Sequence, residues 1–594
     1  MTTTHTWVID DQPSRRFPVY TRGNSGEVFP NVMTPMTGSL IGDASVDGQK
    51  RAMRDLGLVT DRDFAEPGTV STGVFGGYLY GNLSLIRVVS ERVPAMSADD
   101  ADRQIAGLSD DAPTHRPQTG DRNLQATVRG CWVLGTRLLR PDISEVGDAR
   151  TATDRWRATL PDPTTQSDEG LIEFVGSYAP RFADGMRLLL LTSGLAAAGG
   201  SAMEQFAQRA GAPAGTATTL TAGLGTIDSA TPAFNLWALG RQVAASPTLS
   251  GLFDDRVDLA EIIGHGGAPD VDEFVTGFGS FLAAHGARGP DEWELASETW
   301  GTDPGIALAA IERLRRAPEN RDPTAAGRRL AIERERATSD VREQLARPIR
   351  PVFDRFARAA RLYAEGRERA KAVFIDDTYP VRRALFELAD RTARRGGPTV
   401  RRDFFLVTID ELSDFVADPE GFASLVADRR AQRDYLQERE PPFVFEGELP
   451  DPSTWPLRSA RQSTSNTPAP AVLAGQGVCA GIARGTVRII RDPSDPRLLE
   501  PGDILVAPIT DPAWTPLFLA VAGVVVEVGA QQSHAAIVAR ELGIPAIVGV
   551  ADATTHLIEG QTIEIDGATG IVTVQSAADC DRRIAEQPKG PKTT

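Results

Sequence analysis

Residues 521–549 read VAGVVVEVGAQQSHAAIVARELGIPAIVG. Val521–Val528 is an apolar, β-branched run and reads as a buried strand. After a turn come Ser533 and His534, then AAIVAREL, mostly good helix formers. Gly543 and Pro545 punctuate the end of that helix, and PAIVGV reads as the next strand. The stretch is therefore strand–turn–helix–strand, an α/β unit. His534 stands at or beside the first helical residue, with Ser533 the N-cap candidate. The first turn of a helix offers unpaired backbone N–H groups and the positive end of the helix dipole. That field disfavours imidazolium and keeps the ring neutral and nucleophilic. The same N–H groups suit an anion such as phosphate. The alternative is a histidine beside a cap with no chemistry.

Around this stretch, GTVRII, DILVAP, GVVVEV, AIVGV and TIEID are strand candidates, so 475–578 is expected to be a compact α/β domain. Residues 579–594 read as a flexible tail. Upstream, 441–474 is rich in Pro, Ser and Thr, has little periodicity, and reads as a linker. A flexible chain of that length would span roughly 30 Å. Residues 1–440 form the other unit, mostly helical from about residue 172. Apolar spacing of i, i+3, i+4 marks 185–210 and 233–247, and long Arg/Glu-laced segments occupy 304–375. Phe17–Leu40 reads as a loop-rich opening, and Gly76–Val89 as a strand or short buried element. The fold class expected is thus multidomain: a large, mainly α-helical domain followed by an α/β domain.

Composition narrows the function. The chain has 594 residues, 41% hydrophobic and 24% charged, with a net charge of −17. That charge argues against general affinity for nucleic acid or anionic membrane. No apolar run reaches the 18 residues of a membrane span, the N-terminus lacks the apolar core of a signal peptide, and a cytoplasmic location is expected. Cys131, Cys479 and Cys580 are too far apart for a metal or disulfide framework. The six histidines form no HxH or HExxH pair, so no metal site is expected. Lysine is confined to Lys50, Lys371, Lys589 and Lys592, so a phosphate-binding lysine has few places to be.

The C-terminal text PGDILVAPITDPAWTPLF, GVVVEVGAQQSHAAIVARELGIPAIVG and EGQTIEIDGATGIV resembles, in that order, the swivelling phosphohistidine domain of the phosphoenolpyruvate-utilising dikinase family. The family usually has glycine where Ala530 stands and threonine or leucine where Gln532 stands. Upstream, VYTRGNSGEVFPNVMTPMTGSL, GLGTIDSATPAFNLWAL, FLAAHGARGPDEWELASETWGTDP and GRERAKAVFIDDTYPVRRALFELADR resemble the acceptor-binding region of its phenylphosphate synthase and rifamycin phosphotransferase-like branch. The usual GHRG reads Gly286-Ala287-Arg288-Gly289 here.

The resemblance implies that His534 carries a phosphoryl group and passes it to the hydroxyl of a small, aromatic acceptor. It begins about 17 residues in and, with no GxxxxGK[ST] loop, implies that a separate ATP-grasp subunit with ATP and Mg2+ or Mn2+ charges the histidine. Such a transfer needs a general base and cations at the phosphoryl oxygens. His285, Arg288 and Glu292 form one candidate set, and Arg367 with Glu368 another. Thr510 and Trp514 are expected beside the histidine, along with Ser533. A split antibiotic phosphotransferase and a non-catalytic phosphocarrier are the alternative functions.

Overall fold

A computed structural model describes residues 6–65, 69–93, 96–104, 113–213, 215–224, 228, 230–319, 322–458, 471–491, 499–500, 502–510, 514–530 and 533–575. Its strands are β1 Val19–Thr21, β2 Thr72–Phe75, β3 Tyr78–Asn82, β4 Val444–Glu446, β5 Val472–Ala474, β6 Gln476–Cys479, β7 Ile482–Ile489, β8 Asp503–Ala507, β9 Gly523–Val526, β10 Ala546–Val548, β11 Thr562–Asp566 and β12 Ile571–Val574. The helices that matter below are α1 Ser25–Val28, α2 Pro35–Asp55, α3 Ala179–Arg209, α4 Thr231–Ala245, α5 Pro269–His285, α6 Pro304–Arg316, α7 Pro323–Gln344, α8 Arg350–Arg394, α9 Thr515–Ala520 and α10 His534–Leu542.

The helical region is built on α8, a 45-residue helix that packs along α3, which in turn packs on α2. Its buried positions recur at helical spacing, from Phe353, Ala357 and Ala360 to Leu385 and Leu388. Phe374 joins α8 to α3 through Phe182, with ring centroids 4.7 Å apart. Among the described residues one stretch, Asp168–Arg209, is long and apolar enough to cross a bilayer; half of its most apolar window is buried inside the protein. Helices also precede residue 172, at Pro35–Asp55, Leu124–Leu139 and Ser144–Thr159.

The N-terminal opening is more ordered than its Gly, Asn and Pro content suggests. β1 is the third strand of a four-stranded antiparallel sheet in the order β2-β3-β1-β4. Here the expected linker needs correction. Residues 441–458 do not hang free: β4 pairs with β1, and Trp455 is buried against Tyr78. Burial of the aromatic side chains of Phe445 and Trp455 outweighed the Pro and Ser content, because burying each apolar ring is worth a few kcal/mol. At the far end of the same stretch, Val472–Ala474 is already strand β5. Residues 459–470 of the expected linker, and the expected tail 579–594, lie outside the described residues.

The C-terminal domain is an eight-stranded mixed sheet in the order β5-β12-β11-β7-β8-β9-β10-β6. Its centre, β7-β8-β9-β10, is parallel. Each sequence-derived strand candidate is present, and β8 and β9 are buried at every residue, as strands covered on both faces must be. α10 follows β9 and is closed by Gly543 at φ 65°, a left-handed C-cap that glycine adopts without strain.

The two units touch. α9 packs on α4 and α6, and all six of its residues are buried, which one sheet alone would not achieve. α10 packs on α7, and the Glu541 carboxylate accepts the Leu224 backbone N–H at 3.0 Å. This docking places the start of α10 against the opening of the helical unit.

Candidate active site at the domain junction

Ser533 has extended backbone, and its hydroxyl accepts the Ala536 N–H at 3.2 Å, so it caps α10 as its position in the sequence implies. His534 is the first helical residue and is half-buried. Its Nε2 lies 3.4 Å from Thr515 Oγ1. Its backbone N–H donates to the Glu27 carboxylate at 3.1 Å, across 507 residues of sequence. Burial, joined by the positive charges of Lys371, Arg288 and Arg367, holds the ring's pKa well below the usual histidine range. The ring is therefore neutral at physiological pH.

His534 forms part of the wall of a cavity of about 540 Å³, a size suited to a small ligand. Three segments supply its charged groups nearest the histidine, and α3, residues 70–79 and residues 9–11 complete the wall. The first is residues 22–49. Asn24, at φ 63°, turns the chain into α1, and buried Arg22 donates to the carbonyls of Phe29 and Pro30, both at 3.1 Å. This short, braced helix carries Glu27. The second is the loop after α5. Arg382 of α8, fully buried, donates to the carbonyls of Glu292 and Glu294 at 2.7 and 3.0 Å. Glu294 in turn accepts the hydroxyls of Thr34 and Thr37 at the start of α2, at 2.7 and 2.5 Å. The third is α8, which supplies Arg367, Glu368 and Lys371; the first and last are one helical turn apart on one face.

The polar end of the cavity is strongly charged. Glu292 is buried between two cations: Arg288 Nε is 2.6 Å from one carboxylate oxygen and Lys371 Nζ is 3.2 Å from the other. Burial alone would raise the Glu292 pKa, but Arg288 and Lys371 outweigh it and hold it below the ordinary range. Glu27 is in the opposite position. Burial pushes its carboxyl up to about 8, and the His534 N–H, Lys371 and Arg367 offset only part of that. The remaining walls are largely apolar, with Phe29, Met33, Ile41, Phe182, Leu190 and Trp293 among them. Trp293 and Phe374 rings pack at 4.5 Å behind that wall.

The structure thus brings His534, Glu292, Arg367 and Glu368 to one cavity and sets Arg288 directly behind Glu292. His285 is not among them. It closes α5 and faces α4, with Nε2 2.9 Å from Asn235 Nδ2 and its ring against Phe281. Burial and Arg288 lower its pKa to about 4. Thr510 and Trp514 are buried but do not line the cavity; Trp514 belongs to the apolar core between the domains, and the neighbouring Thr515 is the residue at the imidazole. Sequence reading also missed Glu27, Asp291 and Lys371 in the cavity wall. Lys371 had a signal, since it is one of four lysines in the chain. Glu27 had none, because its role depends on a contact 507 residues away. Among the described residues no cluster of three or more His, Cys, Asp or Glu side chains is arranged to hold a metal ion.

Comparison with known proteins agrees with this organisation. Residues 499–570 match the family described as PEP-utilising enzyme, mobile domain. Residues 189–368 match the family described as rifampicin phosphotransferase fourth domain. Rifampicin phosphotransferase of Streptomyces sviceus is 32% identical over 340 residues, covering 55% of this chain and 37% of the relative. An uncharacterized protein of Mycobacterium tuberculosis is 34% identical over 320 residues, covering 53% of this chain and 33% of its own. Prodigiosin synthesizing transferase PigC of Serratia marcescens is 30% identical over 319 residues, covering 51% and 34%. The chain spans about a third of the length of these curated relatives.

Proposed function

We propose that this chain, which matches the PEP-utilising enzyme mobile domain over 499–570 and the rifampicin phosphotransferase fourth domain over 189–368, is a phosphotransferase. In this reading His534 carries a phosphoryl group and delivers it to the hydroxyl of a small aromatic molecule held in the adjoining cavity. The observation that carries the reading is the position of a neutral histidine, the first residue of α10, in the wall of a cavity whose charged end holds Arg367 and Lys371 and whose other walls are largely apolar. Cations at that place offset charge on a transferring phosphoryl group. The aromatic wall of Phe29, Phe182 and Trp293 suits an aromatic acceptor. A larger antibiotic acceptor would use the same step. A carrier without an acceptor of its own has no use for a lined cavity at its histidine.

Charging of His534 is assigned to an ATP-dependent, ATP-grasp nucleotide-binding subunit that brings Mg2+ or Mn2+ with its nucleotide. The test is to incubate the chain with such a module and radiolabelled ATP. Acid-labile, base-stable label should appear on the chain and be absent from His534→Ala. Label that persists in the variant would refute the assignment. Hydroxylated aromatics that discharge the label then identify the acceptor.

A further inference from the structure

A hydroxyl that attacks a phosphohistidine must lose its proton, and the base has to stand at the junction of histidine and cavity. His285, a general-base candidate from the sequence, faces Asn235 instead. Of the carboxylates in the cavity wall, Glu292 is held by Arg288 and Lys371, and an ion-paired carboxylate is a weak base. Glu368 lies 3.5 Å from its neighbour Arg367, Asp291 accepts the Asn31 amide at 2.7 Å, Asp11 accepts the Val74 N–H at 2.8 Å, and Asp43 lines the cavity from α2. Glu27 both lines the cavity and touches the His534 backbone.

We infer that Glu27 is the general base of acceptor phosphorylation, poised by the α1 turn at the meeting point of His534 and the acceptor cavity. This rests on the phosphotransfer reading above. In the step, the acceptor oxygen forms a bond to phosphorus as the P–N bond to His534 breaks. The ring nitrogen keeps the bonding pair and leaves as neutral imidazole, its other nitrogen carrying the proton. The hydroxyl proton passes to the Glu27 carboxylate and then to solvent. The titratable and charged groups that share the cavity wall with Glu27 are His534 from α10, Lys371, Arg367 and Glu368 from α8, Asp291 and Glu292 from the loop after α5, Asp43 from α2, and Asp11 from the segment before β1. Opposed environments for Glu27 and Glu292 give the two carboxylates different tasks: one moves a proton, the other anchors cations.

The experiment charges the full-length chain chemically with phosphoramidate, which needs no partner subunit. Release of phosphate to water and to phenol is then followed from pH 6 to 9.5. Only the ionised carboxylate accepts a proton, so release should rise with pH and level off above about 8. Glu27→Gln keeps an oxygen to accept the His534 N–H. It should take up phosphate as the parent does, lose the rising limb, and release phosphate about 10²–10⁴-fold more slowly at pH 9. Glu27→Asp should retain the limb at a reduced rate. A Glu27→Gln chain with the parental rate and pH profile overturns the inference while leaving the carrier role of His534 intact. Label that never reaches His534, or that survives in His534→Ala, overturns both.

Discussion

At the residue scale, the site works by giving like groups unlike surroundings. His534 is neutral because burial and three nearby cations all oppose a positive charge on it. Of those cations Lys371 acts most strongly on the ring, and it also holds Glu292 at 3.2 Å. Lys371→Met should therefore do two things. The imidazole pKa of His534 should rise, seen by NMR titration of its ring protons. Phosphoryl discharge should slow by about 10²–10³-fold, the usual loss when one stabiliser of developing charge is removed. A variant with an unchanged ring pKa would show that Lys371 does not act on the histidine. The sequence made His534 and Ser533 legible because cap, helix and flanking strands are all local. It left Glu27 and Thr515 hidden, since neither is marked by its own neighbours. The histidine at 285 looked catalytic by type, yet the end of α5 turns it toward Asn235.

At the element scale, α10 is a nine-residue helix that must begin at one fixed point for His534 to face the cavity. Two oxygens from different parts of the chain hold that start: Ser533 Oγ on the Ala536 N–H and Glu27 on the His534 N–H. Ser533→Ala should lower stability by about 1 kcal/mol, the typical value of an N-cap side chain. Hydrogen exchange should be faster at the first-turn amides of α10 than in the sheet. Equal protection in variant and parent would mean that the Glu27 contact alone fixes the helix start. Long helices and central strands were readable from periodicity, as α3, α4, α8, β8 and β9 illustrate. The segment 441–458 was not, because its role is set by pairing with β1, more than 400 residues earlier. Composition reports local chain preference; it carries no information on a distant edge strand that needs a partner.

At the scale of the molecule, the α/β domain and the helical unit share an apolar core containing Leu236, Phe281, Ile311, Trp514, Phe518 and Val538. Docking at this face is what closes the cavity over His534. Near it, Glu541 is buried and its pKa is pushed up to about 7. A carboxyl raised in the folded state binds protons more tightly there than when unfolded. It therefore costs stability as pH rises from its ordinary value near 4.5 to about 7, and the full cost remains above that. Glu541→Gln removes this ionisation and keeps an acceptor for the Leu224 N–H. The variant should match the parent at pH 4.5 and be more stable at pH 8, by up to about 3 kcal/mol. Urea unfolding at the two pH values tests this; a pH-independent difference would show that Glu541 is not the titrating group.

By itself, the sequence determined the α/β character of the C-terminal domain, the helical character of most of the rest, and the placement of His534 behind its cap. Each of these follows from patterns within about twenty residues. Tertiary structure alone decided what the histidine faces. The cavity is assembled from residues near 27, 292, 371 and 534, which no local pattern connects. Burial and charge at that junction depend on which distant groups are brought together. Those same contacts make one carboxylate basic, another a cation anchor, and the imidazole neutral.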